Sequence, residues 1–434
     1  MKDTARAGKP IRQKPWLVVA FLLGALAHCF AAAAEPVARR AELRVGIDDG
    51  DLRGSDHRVL QAAADQVGAL GGGIVRIGPG RYVLRNALTL RSNVDLVGVP
   101  GKTILAVCDS VTSPLACDGD CNERQVTLQQ PGGFRVGDGV LVRDSRFGGG
   151  FAVTTATLTE QLDENTFRIS APLYLDYMMA QKASAALVFP AVGGWNVHDV
   201  VVEGVTIDGN RERTVPTDGC RSGGIYLFQC RNVIVRNCVV KGYNGDGVSF
   251  QVSEDVTVED CLAEGNAGLG LHPGSGSQRP VLRHNRSVGN GGDGMFVCWR
   301  VRHGLFEKNE LRGNAGAGLS IGHKDSDNVF RENTITGNAK AGVLFREETE
   351  PMGAHRNVFE KNAILDNNRT GGEKGAAIVV RGHHQNLVFR DNTIGNSQPG
   401  GAAAIGIARG KFAKDLVSDN NRFTNVRKDI EEEQ

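Results

Sequence analysis

His272, Trp299, Arg300, His303, His323 and Lys324 are the residues of this 434-residue chain whose types and spacing could do chemistry. An imidazole takes or gives a proton near neutral pH, and a guanidinium grips a carboxylate through two parallel hydrogen bonds. A second cation beside that carboxylate would stabilise negative charge as it develops. The set suits general acid–base work on an anionic ligand, with an indole for the ligand to lie against. Its members are far apart in sequence, so repetition must bring them together. Trp299 and His323 are 24 residues apart, and so are Arg300 and Lys324.

That interval runs through the chain. Asn266, Asn290, Asn314 and Asn338 follow one another at 24 residues, and Gly247, Gly270, Gly294, Gly318 and Gly342 at 23 or 24. A fixed period of this size marks a solenoid. Within one period, Gly247–Gln251, Val256–Val258 and Cys261–Ala263 are short alternating runs separated by turn residues, which predicts three strands per turn. Helical spacing fits poorly, and a glycine at each corner would cost a helix about 1 kcal/mol relative to alanine. Asparagines recurring once per turn stack about 4.8 Å apart and can bond along the axis. Asn285, Asn309 and Asn333, extended by Asn237, Asp260, Asn362 and Asn392, predict a second such ladder.

Alternation then sets the faces. Val248 with Phe250 and Leu319 with Ile321 point inward, and their neighbours are expected to face solvent. Stacking the turns predicts an outward column of Tyr226, Ser249, His272, Phe296, Ser320, Leu344 and Val379. Beside it stand Phe228, Gln251, Gly274, Cys298, Gly322, Arg346 and Arg381. The cationic strip crosses these columns. His272, Arg300, His323 and Lys324 are the candidate catalytic residues, and Trp299, Arg346, Gln251, Phe296 and Arg381 the candidate substrate contacts. Each has a plainer reading: a surface histidine, solvated charges, a core indole. Asp246 and Asp293, both in Gly-Asp-Gly, read as turn residues. Glu347 and Glu348 are adjacent and point in different directions.

Net charge is +1, with 23% charged residues; no basic surface suggests nucleic acid. Lys2, Arg6, Lys9, Arg12 and Lys14 precede an apolar run, Trp16–Ala27, and Ala32-Ala33-Ala34 offers a small-residue cleavage site. Residues 1–34 are expected to be a signal peptide cleaved near Ala34, leaving a secreted or periplasmic chain, with an apolar run too short for a membrane span of about 20 residues. Of nine cysteines, eight follow that segment. Cys238 and Cys261 should lie one turn apart, as a disulfide or as stacked thiols. Cys108, Cys117 and Cys121 crowd one loop and are expected to include a local bridge.

Residues 56–68 read as a helix, with Ser55 as N-cap and Val59, Leu60, Ala63 and Val67 as its apolar stripe. It would cover the open end of the solenoid. Between Asn122 and Pro190 the period disappears and Gly133–Val142 and Asn165–Ile169 look like hairpin strands. The organisation is then a cap with first coils over 35–107, an inserted β subdomain over 108–190, repeats over 191–426 and a charged, frayed tail over 427–434.

The helix, Gly71-Gly72-Gly73 and Pro79-Gly80-Arg81-Tyr82, followed by the coils from 195 to 426, resemble the pectate lyase superfamily, including alginate C5-epimerases. The resemblance implies an all-β, right-handed parallel β-helix solenoid with an N-terminal capping helix. Gly270-Leu271-His272-Pro273-Gly274-Ser275, with Arg300 one turn on, is similar in placement to an epimerase Asp-Pro-His-Asp element and its arginine, though both aspartates are missing. Lyases and epimerases remove the C5 proton of a uronate. The implied roles are His272 as base or acid, Arg300 and Lys324 as carboxylate neutralisers, His323 as second proton carrier and Arg346 as a subsite contact. The partner would be an acidic polysaccharide, bound by a monomer. Pectate lyases use calcium, but no tight acidic cluster stands in the strip, so no cofactor is predicted and calcium stays an open alternative. The alternatives are a non-catalytic polysaccharide-binding or cell-surface protein and, third, a glycoside hydrolase. A hydrolase would need two facing carboxylates, and the coils carry neither Asn-Thr-Asp nor Asp-Asp.

Overall fold

A computed structural model describes residues 40–146, 152–372 and 375–432. The expected signal peptide lies outside the described residues. Each turn of the coil lays one strand on each of three parallel sheets. In the turn that ends at Asn266 these strands are Val248–Gln251, Glu254–Glu259 and Leu262–Glu264. We call the sheets they join sheet 1, sheet 2 and sheet 3, with 11, 13 and 11 strands. The inward residues fill a continuous core. Phe306, Phe330, Phe359 and Phe389 stack at 4.7, 4.5 and 5.2 Å between successive ring centroids, close to the strand spacing, because identical side chains in register can only meet face to face.

Amide ladders hold two corners. Between sheets 3 and 1, Nδ2 of Asn266, Asn290, Asn314 and Asn338 each donates to Oδ1 one turn on, at 2.8–3.0 Å and ending on Asn367. Between sheets 2 and 3 the rungs are Asn285, Asn309, Asn333, Asn362, Asn392 and Asn421. Asn237 and Asp260 are not rungs. They hold the left-handed residue just before the rung, with φ of 53° each, and the rung positions belong to Cys238 and Cys261. The backbone N–H of Cys261 donates to Asn285 Oδ1. Both thiols are buried and unbridged, and the expected bridge among Cys108, Cys117 and Cys121 is also absent among the described residues.

Outside sheet 2 runs a ladder that hydrophobic periodicity does not reveal. Glu203, Arg236, Glu259, Arg283, Glu307, Arg331, Glu360, Arg390 and Asp419 occupy one register position on successive turns. Charge alternates at every step, and four arginines pair with the preceding glutamate at 2.5–2.7 Å. Opposite charges directly across a strand pair each add a few tenths of a kcal/mol to about 1 kcal/mol, and like charges would subtract it.

The helix is His57–Ala69, capped by Asp56 in place of Ser55, with the Asp56 side chain accepting from Arg58 N. Leu60, Ala63, Ala64 and Val67 are its buried face. A six-stranded antiparallel sheet interrupts the coil, its outer strands being Thr112–Pro114 and Gln125–Thr127. At the other end Lys428–Glu432 pairs in parallel with Ile405–Arg409. Residues 428–432 thus form a last strand of sheet 1, not a frayed tail, because Ile430 pairs with Ile407 in the apolar column. No helix among the described residues is long and apolar enough to cross a membrane.

Candidate functional site

The outer face of sheet 1 carries the predicted columns in the predicted register: Tyr226 pairs with Ser249, Ser249 with His272, Phe296 with Ser320, Ser320 with Leu344, and Leu344 with Val379. The expectation that these residues face solvent does not hold. Tyr226, Ser249, Gln251, His272 and Ser320 are all buried. Over Tyr226, Ser249, Gln251 and His272 the reason is the segment between Gly209 and Gly224, which folds back over the sheet; Ser320 is covered instead by Arg346 and Asp293. Ser249 Oγ donates to Gly219 O at 2.6 Å and Tyr226 Oη to Cys220 O at 2.9 Å. A Cβ at Gly219 would fall 1.7 Å from Asp246 Oδ2, so only glycine allows this approach.

His272 sits mid-strand in Leu271–Pro273, its Nδ1 2.8 Å from Asp246 Oδ2. Asp246 Oδ1 accepts the Leu269 N–H at 2.9 Å. Asp246 therefore does what its Gly-Asp-Gly setting predicts, fastening a turn, and also holds the imidazole. Nε2 on the far side of the ring is buried and finds no partner among the described residues. The ring meets Phe296 edge-on, with centroids 5.3 Å apart.

Beyond Phe296 stands Arg346. Its guanidinium lies 4.3 Å over the Phe296 ring, Nη1 donates to Ser320 Oγ at 3.0 Å, and Nη2 donates to Val297 O at 2.8 Å. Nη2 is also 3.3 Å from Asp325 Oδ2. Asp325 accepts the Val301 and Gly322 N–H groups at 2.9 and 3.1 Å. Burial pushes its carboxyl up to about 7, opposed by Arg346 and those two N–H groups. Asp293 accepts Ser320 Oγ at 2.7 Å and is likewise raised by burial. Glu348, also raised by burial, accepts the His323 N–H at 3.0 Å. His323 Nδ1 lies 2.8 Å from the same Glu348 oxygen but without the alignment of a hydrogen bond; burial and then Arg346 lower its pKa.

The remaining candidates lie at the corner between sheets 1 and 2. Trp299 and Arg300 on one turn, and His323 and Lys324 on the next, have φ of 65°, 69°, 43° and 67°. Side chains with a Cβ rarely adopt this region, at a cost of order 1–3 kcal/mol each. The indole stacks on the His323 ring at 4.9 Å. Among the described residues no side-chain hydrogen bond or ion pair joins Arg300 or Lys324 to His272. Gln251 Nε2 donates to Ser249 Oγ at 3.0 Å, while its Oε1 is buried without a partner among the described residues. Arg381 follows Arg346 in the second column, and its backbone N–H donates to Phe345 O at 3.2 Å.

The structure thus gathers His272, Phe296, Gln251 and Arg346 on the sheet face, and sets Trp299, Arg300, His323 and Lys324 along its edge. Sequence reasoning missed Asp325, set Glu348 aside together with its neighbour Glu347, and undervalued Asp246 and Asp293. The recurrence of Gly-Asp-Gly two turns apart was the available signal. No three His, Cys, Asp or Glu side chains converge as a metal site among the described residues.

Three parallel sheets wound into one coil and tied by amide ladders define a parallel β-helix. The chain belongs to the right-handed β-helix family, whose model, described as "Right handed beta helix region", matches residues 191–350 and 297–430, more than half of the chain. No curated protein matches it by sequence. Among solved structures it is similar to the A-module of the Azotobacter vinelandii mannuronan C-5 epimerase AlgE4, with a TM-score of 0.56 and 16% identity over 89% of this chain and 97% of that one. The AlgE6 A-module from the same organism gives 0.54 and 16% over 90% and 100%. The polygalacturonase of Erwinia carotovora ssp. carotovora gives 0.51 and 12% over 92% and 99%. At these identities the likeness concerns the fold alone.

Proposed function

We propose that the chain is a secreted or periplasmic, polysaccharide-active enzyme that moves the C5 proton of a uronate ring, by β-elimination or by epimerisation. The observation that supports this is the His272–Asp246 pair. A carboxylate only accepts hydrogen bonds, so Nδ1 carries a proton, and in the neutral ring the lone pair is then on Nε2. That lone pair is buried and uncommitted, as a general base requires. Loss of the C5 proton would spread negative charge onto the uronate carboxylate. Arg346, across Phe296 from His272, is the cation on the same sheet face, and Arg300 and Lys324 would add positive charge from the corner. His323 remains the candidate second proton carrier, and Trp299, 36% exposed, a platform for a sugar ring. C5 epimerisation of mannuronan, the reaction named for the two Azotobacter modules, is a proton transfer of this kind.

A second reading is favoured by one observation: His272 is only 3% exposed, beneath Gly219. A polymer could reach Nε2 only with that segment displaced, and a chain that never moves it would bind polysaccharide along the corner without reaction. Wild type and His272→Gln would be incubated with alginate, pectate and glycosaminoglycans. Ultraviolet absorbance of unsaturated uronate reports elimination, and NMR of the polymer reports inversion at C5. Turnover by wild type, abolished in the variant, is expected. No change across the panel sinks the enzymatic reading, and binding without turnover supports the second one.

A further inference from the structure

A cavity of about 300 Å³ lies on the outer face of sheet 1, where the inserted sheet meets the first coils. Its floor is the indole of Trp195, at the end of the strand Val192–Trp195. A Cβ at Gly193 would fall 2.4 Å from that ring, so the glycine lets the indole lie down against the backbone. Thr89, Thr155, Thr157, Ser170 and Asn86 line the walls. Thr157 and Ser170 are tied to the protein, with Asn86 Nδ2 donating to Thr157 Oγ1 at 2.9 Å and the Thr157 N–H to Ser170 Oγ at 2.9 Å. The Thr89 and Thr155 hydroxyls and the Trp195 ring N–H have no partner among the described residues. None of the thirteen lining residues is Asp, Glu, Lys, Arg or His.

We propose that this cavity binds one uncharged pyranose unit, stacked on Trp195 and hydrogen-bonded through the Thr89 and Thr155 hydroxyls. A pyranose offers an apolar C–H face to an aromatic ring and hydroxyls around its rim, which is the pattern of this lining. A wholly apolar ligand would leave the wall hydroxyls without partners, and burying such groups unpaired is costly. A uronate would bring a carboxylate into a cavity without a cation, at a larger cost. The volume is at the small end of ligand pockets, about 300–1,000 Å³, which suits a single ring better than a chain. Trp195 pairs with Phe228, and Phe228 with Gln251, so the cavity lies on the same sheet face as His272, toward the N-terminal end. The assignment rests on the cavity's chemistry and stands whether or not His272 moves a proton.

Calorimetric titration of the full chain with methyl glucoside, methyl galactoside, methyl mannoside and cellobiose, against methyl galacturonide and a medium-chain fatty acid, tests it. Saturable binding of at least one neutral glycoside is expected, with the galacturonide weaker by roughly tenfold or more. Thr155→Val, which keeps the side-chain shape, should weaken binding several-fold, and Trp195→Ala should abolish it. His272→Gln should leave it unchanged, so failure here is distinguishable from failure of the proton-transfer reading. No binding by any neutral sugar, equal binding of the galacturonide, fatty-acid binding alone, or affinity unaltered in both cavity variants would each overturn the proposal.

Discussion

Asp246→Asn is the most discriminating change, because it preserves shape and reverses a proton. In the native chain Asp246 Oδ1 accepts the Leu269 N–H at 2.9 Å, and Oδ2 faces His272 Nδ1 at 2.8 Å. An asparagine must keep its oxygen toward Leu269, because an amide N–H there would meet a second N–H. Its NH2 then faces Nδ1 and can only donate. Nδ1 must become the acceptor, the ring proton moves to Nε2, and the lone pair offered to the substrate is gone. Both hydrogen bonds survive, so stability should change by only about 1 kcal/mol. Loss of the correct tautomer in a buried imidazole–carboxylate pair costs turnover roughly ten-thousandfold, which corresponds to about 5.5 kcal/mol of transition-state stabilisation.

Two measurements check it separately. Long-range proton–nitrogen NMR, with the His272 signal assigned by its absence in His272→Gln, should show a neutral Nδ1–H ring in wild type and an Nε2–H ring in Asp246→Asn. Turnover on whichever uronate polymer wild type accepts should collapse with little change in melting temperature. An Nε2–H ring in wild type, or full turnover by the variant, would refute the reasoning. In the first case the imidazole points the wrong way to be a base, and in the second its tautomer does not matter.

Three further outcomes follow from the coil. Asn309→Ala removes two bonds donated by its amide, to Leu282 O and Asn333 Oδ1, and two accepted from Asn285; with buried partners stranded it should cost on the order of 4–6 kcal/mol, against about half as much for Asn421→Ala, which also loses four bonds but at the half-buried end where water can replace some of them, as read by thermal denaturation. Arg283→Glu places a third carboxylate between Glu259 and Glu307 and should destabilise by about 1–2 kcal/mol at low salt, with added salt restoring part of it. Arg346→Gln tests the buried pair through pH. Asp325 has a native pKa of about 7 against an ordinary 3.8, so the native state holds a proton that the unfolded chain releases, and this contribution to stability declines as pH rises from about 4 to about 7. Without Arg346 the native pKa rises further, so the variant's melting temperature should keep falling above pH about 7, where wild type has levelled.

The register of the coil was legible because parallel pairing advances one period per turn. Counting 24 residues from Phe296 leads to Ser320 and then Leu344, and those residues do pair. What covers the coil was not legible. The segment from Gly209 to Gly224 belongs to no repeat, and its contacts with Ser249, Tyr226 and Asp246 are tertiary, so alternation alone made the outer face of sheet 1 look open. The misplaced rungs have a local cause: the left-handed residue before each rung also favours Asn or Asp, so Asn237 and Asp260 imitate the residues they precede. The corner cations show the converse. Spacing stacked Trp299 on His323, as found, but it carried no information on whether they sit on the sheet face or on its edge.

The three faces of the coil are finished to different degrees, and this bears on where function resides. On sheet 2 the outward charges alternate and pair turn after turn. At the corners each amide between the end rungs donates to one neighbouring rung and accepts from the other. Buried polar atoms in folded chains are almost always satisfied, and one left bare costs about 1–3 kcal/mol. On the middle turns of sheet 1, Gln251 Oε1, His272 Nε2 and Arg346 Nε are each buried without a partner among the described residues. They are one acceptor, one ring nitrogen that accepts when Nδ1 is protonated, and one donor, a mixture that no single neighbour on the sheet could satisfy. Bare atoms also occur elsewhere, Arg236 Nε on sheet 2 among them, but these three stand on one sheet face, and apolar residues at these positions would be more stable. A polyhydroxylated ligand carrying a carboxylate offers both donors and acceptors and would complete them, so such a ligand should raise the melting temperature of wild type and lose that effect in a His272→Leu, Arg346→Leu double variant.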